Sequence, residues 1–554
     1  MKVAFLIGRD DANTQGAIAS VCQLPGIQTV TVLLDTARAT RSERWRNLKR
    51  NIRREGWPYV FYRALSAVRL KLEQWADQVI PSAEVEALLS TAFPERGLGR
   101  LAERHGFLII PAGNLNGAKA AESLREAGAD LGIVLGTRIL KPTVFSIPRL
   151  GCINLHKGEV PAYRGMPPGF WELYDGRESA GVTIHYVDAG LDTGDVAAAS
   201  RVPIHAKETP ESLRKKLDLE GVRLLTEVVR QIGQGISVRE AQPKGTHAPR
   251  TRPTHAETRK LARRLRHWRR LGDGRQAIKI ALWLAVFHGG FYSLLRRLRR
   301  GKSRGAILLY HRVNDVSEDV LTASTRRFAE HLVALRRYYH GISSEEMVER
   351  IANRAPLAPT SVAIHFDDCY RDVRTYAAPL LAAAGMPAAS FVSSGFVGTT
   401  RAFLHDQEYY PQRFENFQAQ DLCELPGLRV SVAAHTVNHV DLGAVSVEQA
   451  QVEVMECGRE LERIVSRPVL LFSFPFGGFH NIREDVRKMV IAAGYRGLFS
   501  TYGGFVDETT SPFDIPRFGV SSDHSPLALL MELEGISLAH WKQRLASRRR
   551  GGAT

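Results

Sequence analysis

The chain of 554 residues is too long for one core, and at 44% hydrophobic and 24% charged residues it has the make-up of globular rather than disordered or fibrous protein. Its five cysteines (Cys22, Cys152, Cys369, Cys423, Cys457) are scattered, odd in number and never spaced C-x-x-C. This argues against a disulfide framework or a cysteine zinc site and for a reducing cytosol. The net charge of +17 is concentrated: residues 41–71 carry +8 and residues 250–304 carry +15, leaving a mildly acidic remainder of −6.

The opening MKVAFLIGRDD has too short an apolar run for a signal peptide and reads as a first strand. Residues 1–9, 28–34 and 131–135 read as buried strands, with a helix-like stretch over 113–129. Strands alternating with helices predict an α/β unit with a parallel sheet, closed by a helix over 210–234. Composition marks 246–303 as a basic amphipathic linker between domains at 1–245 and 304–545. It holds a basic helix candidate at 257–270, then the almost wholly apolar IKIALWLAVFHGGFYSLL (278–295) bounded by arginines. A second α/β pattern follows, with strands expected at 306–310, 362–366, 428–434 and 470–474 and a helix within 442–465. No internal repeat is visible.

The first domain carries Asn154-Leu-His156, then Pro161-Ala-Tyr163-Arg164-Gly165, then Leu191-Asp192-Thr193-Gly194-Asp195. Acyl transfer to an amine needs a donor for the developing oxyanion and a group that takes the amine proton. Asn154 offers an amide donor, and His156, two residues on in a strand, points the same way. His156 can donate to the same oxygen or handle a proton, and Asp192 can orient it. Asn-x-His plus a distant Asp would by themselves read as satisfied polar groups. The ordered run INLHKGEVPAYRGMPPGFWELYDGRESAGVTIHYVDAGLDTGD resembles the 10-formyltetrahydrofolate-dependent formyltransferases, over roughly 1–245. The resemblance implies a Rossmann-like fold and a catalytic trio of Asn154, His156 and Asp192. It also implies a donor loop at Leu135, Gly136, Thr137, Arg138, Ile139 and Leu140. Residues 40–75 are a basic, aromatic insertion relative to that family, and 196–245 is too short for the barrel that grips tRNA, which argues against tRNA as acceptor.

In the second domain, Asp368, His435 and His439 are a candidate metal set, two imidazoles four residues apart plus a carboxylate from another strand. Asp367 is then the candidate general base. H-x-x-x-H alone would read as a chance pair. VAIHFDDCY, VAAHTVNH and FSFPFGGF in order resemble the NodB-homology polysaccharide deacetylases, over roughly 304–540. That family implies a distorted (β/α) barrel, Asp367 as base, a divalent metal, by family default zinc, on Asp368, His435 and His439, and a groove wall at Pro475, Phe476 and Gly477. Three departures stand out. Cys369 replaces a usual Gly, Ser473 replaces an Arg that orients the base, and the late His that protonates the leaving amine has no clear counterpart, with Arg517 and His524 in its region. His311, after Leu-Leu-Tyr, either enters the site or makes a structural hydrogen bond, the latter being the leading expectation.

Residues 250–304 read as a solvated linker, a nucleic-acid-binding stretch, a core helix packed between domains, or a segment lying on an anionic membrane surface. The last reading places 41–72 and 250–304 on one side of a peripheral protein at the inner face of the membrane. A plain core helix is weighed nearly equally. Joining the halves predicts an enzyme that removes an N-acetyl group from a nucleotide- or lipid-linked amino sugar and formylates the freed amine. Formylation followed by deformylation, or a tRNA- or membrane-binding scaffold with a decayed second site, are the competing expectations.

Overall fold

The computed structural model describes residues 1–37, 40–94, 97–206, 208–236, 239–242, 248–265, 274–299, 302–315, 319–409, 414–521 and 524–536. The chain divides into two compact units, Met1–Leu65 with Pro94–Leu271, and Ser66–Phe93 with Gly272–Thr554.

The first unit is built on seven strands: β1 (Lys2–Ile7), β2 (Thr29–Asp35), β3 (Leu108–Gly113), β4 (Leu131–Leu135), β5 (Cys152–His156), β6 (Ser179–Tyr186) and β7 (Val196–Pro203). Their order is β3-β2-β1-β4-β5-β6-β7, parallel through β5 and antiparallel beyond it. Both faces of β1 are covered. Val3, Phe5 and Ile7 enter one core cluster, and Ala4 and Leu6 enter another. That burial on two sides is why the strand reads as a continuous apolar run rather than an alternating one. The chain reversal at β1 and β4 is the doubly wound, Rossmann-like arrangement. Helix Pro210–Gly233 starts at a capping box, Thr209 with Ser212, and has proline at its first position.

The second unit holds β8 (Gly305–Tyr310), the short β9 (Arg312–Val313), β10 (Thr322–Ala323) and β11 (His340–Gly341), then β12 (Ser361–Phe366), β13 (Ala388–Val392), β14 (Val430–Ala434), β15 (Leu471–Ser473), β16 (Gly497–Phe499) and β17 (Phe518–Gly519). Strands β16-β15-β14-β13-β12-β8-β17 lie side by side, all parallel. The seam between β16 and β17 is bridged just upstream of β17, where Ser500 N–H donates to the Ile515 carbonyl and Ile515 N–H to the Leu498 carbonyl, each at 3.0 Å. The sheet thus curls into a distorted (β/α) barrel. Ile307, Ala363, Ala389, Phe391, Ala433, Leu471, Phe499 and Ile515 form one buried cluster from its strands and seam.

Strands at the N-termini of both domains and at β4, β8, β12, β14 and β15 fall where the apolar runs predict them. The 113–129 stretch resolves into the end of β3 and a shorter helix, Ala118–Glu126. The segment 66–93 lies in sequence between β2 and β3 of the first sheet, yet Ala76, Val79, Ile80, Val85, Leu88 and Leu89 are buried in the core of the barrel unit. The 278–295 run is two helices, Gly274–His288 and Phe291–Leu298, separated at Gly289–Gly290.

Candidate active sites

Both sites lie at the carboxyl ends of parallel strands, where loops are free to converge. In the first unit β5 presents Asn154 and His156 on one face, and antiparallel β6 sets His185 directly opposite Asn154. The His185 Nδ1–H donates to the Tyr186 carbonyl at 2.9 Å, so its Nε2 accepts from the Asn154 amide at 3.1 Å. The His156 Nε2–H donates to the Tyr163 carbonyl at 2.8 Å, a group that only accepts. This fixes the tautomer and leaves Nδ1 unprotonated, 3.5 Å from Asp192 Oδ2. Asp192 Oδ1 is also 3.4 Å from His185 Nε2.

The P-A-Y-R-G motif has a clear physical role here. Its Tyr163 carbonyl orients His156, and its Gly165 N–H donates to Asp192 at 3.0 Å. Gly165 has φ 93°, and a Cβ there would meet the Arg250 carbonyl oxygen at 2.1 Å, so only glycine fits. Burial pushes the His156 imidazole below its usual range, against the opposing pull of Asp192. Burial alone would raise Asp192, but the neighbouring His185 and His156 and the Gly165 N–H together hold it low. The trio of Asn154, His156 and Asp192 is therefore brought together, with His185 as a fourth member that the sequence reading placed only inside a motif.

The Leu135–Leu140 loop follows β4, the sheet neighbour of β5, and so opens at the same end. Leu140 is buried, while Gly136, Arg138 and Ile139 are exposed. The loop is fixed from behind. The Asn116 amide donates to the Ile139 carbonyl at 2.9 Å, and Arg138 pairs with Asp35 at 2.5 Å and 3.0 Å.

In the barrel unit Asp367 and Asp368 follow β12, and His435 and His439 follow β14. Ligand atoms of Asp368, His435 and His439 all lie within 4.8 Å of one another. His439 Nε2 is 3.1 Å and His435 Nε2 is 3.7 Å from Asp368 Oδ1. Asp368 and His439 both sit at positive φ, 78° and 55°, an unfavourable backbone region for such residues that the surrounding fold enforces. His435 Nδ1–H donates to the Ser473 carbonyl at 2.9 Å, which turns Nε2 toward the other ligands. Asp368 Oδ2 is buried without a hydrogen-bond partner. With Oδ1 facing two imidazole nitrogens and Oδ2 left without a partner, this carboxylate fits a divalent cation.

Asp367 is clamped by Arg517, Nη1 to Oδ1 and Nη2 to Oδ2, both 2.7 Å, with Arg517 Nε tied to the Ser500 carbonyl at 2.9 Å. Ser473 Oγ reaches Asp367 Oδ1 only at 3.3 Å and lies 2.6 Å from His435 Nδ1. An arginine that orients Asp367 is thus present, supplied from the loop before β17 instead of from position 473. Burial alone would raise Asp367, but Arg517, with His435 and His311 nearby, holds it below its usual range. Burial pushes His435 down to about 4 and also lowers His311, which faces the charges of Asp368 and Asp367. His524 does not fill the place of a late acid, because its ring bonds Glu532 at 2.9 Å and Ser521 at 2.8 Å.

One residue escaped the sequence reading altogether. His405 Nε2 lies 3.7 Å from Asp368 Oδ2 and 2.8 Å from the Tyr370 hydroxyl, with its ring stacked on Phe403. Tyr370 in turn donates to Asp406 at 2.6 Å, and Asp406 is held by the buried Arg312 at 2.5 Å. His405 sits in no recognisable motif, so nothing in the sequence signals it. Phe476, half exposed, sets its ring 5.0 Å from that of His439 at the rim.

Residues 100–229 match the family model for formyl transferase, and residues 354–498 match that for polysaccharide deacetylase. The chain thus joins a segment similar to formyl transferases to one similar to polysaccharide deacetylases. The methionyl-tRNA formyltransferase of Thermosynechococcus vestitus is 37% identical over 148 residues, covering 26% of this chain and 45% of that protein. That of Halorhodospira halophila is 39% identical over 145 residues, covering 26% and 46%. The chain spans about half the length of the curated relatives it matches. Among solved structures, the Streptococcus pyogenes deacetylase PplD in complex with acetate is 20% identical, with a TM-score of 0.37 over 42% of this chain and 98% of that one.

Proposed function

We propose that the chain exchanges an N-acyl group on an amino sugar, removing acetyl at the barrel site and adding formyl at the first. What supports the reading is that both residue sets are complete in one polypeptide: Asn154, His156 and Asp192 in one unit, and Asp367, Asp368, His435 and His439 with Arg517 in the other. Deacylation yields a free amine and formylation consumes one. Placing both in one chain raises the local concentration of the intermediate.

At the barrel site a divalent cation, zinc by family default, held by Asp368, His435 and His439 would polarise the amide carbonyl. Asp367, oriented by Arg517, takes a proton from the attacking water. The water oxygen bonds to the acyl carbon, the C–N bond breaks, and the amine leaves with a proton from His405, the imidazole beside Asp368. Acetate and a free amino sugar result.

At the first site 10-formyltetrahydrofolate would supply the formyl carbon, held against the exposed backbone of Gly136–Ile139. The amine nitrogen attacks that carbon, and the Asn154 N–H not used by His185 faces the oxygen that gains charge. His156 Nδ1 takes the amine proton, Asp192 stabilises the imidazolium so formed, and as the formyl carbon's bond to the folate nitrogen breaks the imidazolium returns that proton to the leaving nitrogen, giving the N-formyl sugar and tetrahydrofolate. Burial keeps His156 neutral beforehand, as a base must be.

The deciding experiment is mass spectrometry of nucleotide-linked acetamido and amino sugars incubated with protein, zinc and 10-formyltetrahydrofolate. An acetamido sugar converted to its formamido counterpart, and to the free amine when the folate is omitted, is the expected result. Formylation of amino sugars with no loss of acetyl from any acetamido sugar would overturn the exchange. If formyl but not acetyl were then removed, the barrel would be a deformylase.

A further inference from the structure

Between Gly274 and Arg304 the sequence holds eight Lys or Arg residues and no Asp or Glu. Its two helices are bent by 61° at Gly289–Gly290, with Gly290 at φ 82°. One side of this hairpin belongs to the barrel unit, where Ile280, Leu284 and Tyr292 are buried in the core. Arginines fasten its second half. Arg296 donates to the Tyr338 carbonyl, Arg299 to Glu534 at 2.8 Å, and Arg304 to the Leu533 carbonyl at 3.1 Å. The other side is apolar as well. Ile278, Leu282, Phe291, Leu294 and Leu298 are 50–65% exposed. Single exposed leucines are ordinary, but five large apolar residues on one acid-free hairpin are not.

We propose that this outer face docks on an anionic lipid bilayer. The hairpin lies in the interface with those five side chains inserted, and the exposed Lys279, Arg297 and Lys302 sit against the headgroups. Charge and shape select the occupant. A nucleic acid would meet the cations but has no use for inserted Ile, Leu and Phe. Neither helix spans a bilayer: fifteen residues at about 1.5 Å each fall short of a hydrocarbon core of roughly 30 Å. Among the described residues no single helix is long and apolar enough to cross. The two helices together are long and apolar enough for a broken span, but Ile280, Leu284 and Tyr292 are committed to the barrel core, which leaves the outer face an in-plane position.

The arrangement also orients the barrel. Arg296, Arg299, Lys302 and Arg304 line a cleft with Gly305 and Ser361, the first residues of β8 and β12. Asp367 and Asp368 follow the opposite, carboxyl end of β12. The second helix therefore sits toward the amino end of the barrel strands, the end opposite the metal site.

Sedimentation of the full chain with sucrose-loaded vesicles tests this. In about 0.1 M salt, where charges are felt over about 10 Å, the chain is expected to pellet with phosphatidylcholine vesicles containing about 30% phosphatidylglycerol and to stay in solution with phosphatidylcholine alone. The double variant Leu282→Glu, Leu294→Glu is expected to lose binding by about ten-fold or more, with an unchanged melting temperature because both positions are exposed. A second pair, Phe291→Ser with Leu298→Ser, should lose binding likewise. Wild-type chain left in the supernatant with anionic vesicles overturns the proposal. So does a folded double variant that pellets like wild type, and so does a wild-type dimer that the variants dissociate and vesicles do not, which would make the occupant a second copy.

Discussion

Arg517 and Asp367 meet through two parallel hydrogen bonds of 2.7 Å, both side chains buried, across 150 positions of sequence. A planar guanidinium holds a carboxylate in one rotamer, which an ammonium does not. Arg517→Lys should therefore keep the charge balance and fold but lose deacylation by about 10- to 100-fold. Arg517→Met leaves Asp367 as a buried, uncompensated anion and is expected to cost about 3–5 kcal/mol of stability as well. Turnover of an N-acetyl sugar beside a thermal melt separates the two effects, since Lys should move only the first.

His435→Ala and His439→Ala should each abolish stoichiometric metal and deacylation while leaving formyl transfer intact. His405→Phe should keep the metal, because His405 is not among the three clustered ligands, yet slow turnover by about 10²-fold, the usual reach of a positioned acid. The defect should shrink for anilide substrates, whose leaving amines need less protonation. Metal content by atomic absorption and rates on the two substrate classes check both. A His405 variant that lost its metal would show a ligand role instead.

The central strands and most of the clustered residues were legible because each rests on local pattern: apolar runs for β1, β4, β8 and β12, and short motifs for Asn154–His156, Asp367–Asp368 and His435–His439. What was not legible depends on distance in sequence. Arg517 reaches Asp367 through barrel closure, and His405 reaches Asp368 from a loop with no motif of its own. His185 stood in plain view within GVTIH, but only the β5–β6 register places it across from Asn154. The helical segment 66–93 reads as part of the first domain because it lies between two of its strands. Its buried face fits the second core instead, and no periodicity says which core an apolar face will meet.

His185→Ala removes the acceptor that fixes the Asn154 amide and a neighbour of Asp192 on its Oδ1 side. Formyl transfer is expected to fall by about 10- to 100-fold in kcat, with the KM for the folate donor unchanged because the Leu135–Leu140 loop is untouched. His185→Asn, which can still accept from Asn154, should recover part of the loss. Steady-state kinetics on an amino sugar with varied donor decides, and a rise in donor KM alone would contradict the assigned role.

Glu172 lies 2% exposed in the helix Phe170–Asp175 of the first unit. Burial, reinforced by the charge of Asp175, raises its carboxyl to about 7. Its folded value therefore lies above the value near 4.5 expected for the unfolded chain. Below about 4.5 both states are protonated and the group is neutral to stability. As the pH rises, the unfolded chain ionises first, so stability falls until the folded carboxyl also ionises near 7 and then levels off. At about 1.4 kcal/mol per pH unit between the two values, the loss is on the order of 3 kcal/mol. Glu172→Gln keeps a similar shape and cannot ionise, so it should match wild type at pH 4.5 and gain progressively above it. For a unit of this size the gain by pH 8 is several degrees in Tm, at about 2–4 °C per kcal/mol. Thermal melts of both proteins from pH 4.5 to 8 make the comparison, and a Tm difference that stays flat across that range would show that Glu172 is ionised in the folded chain.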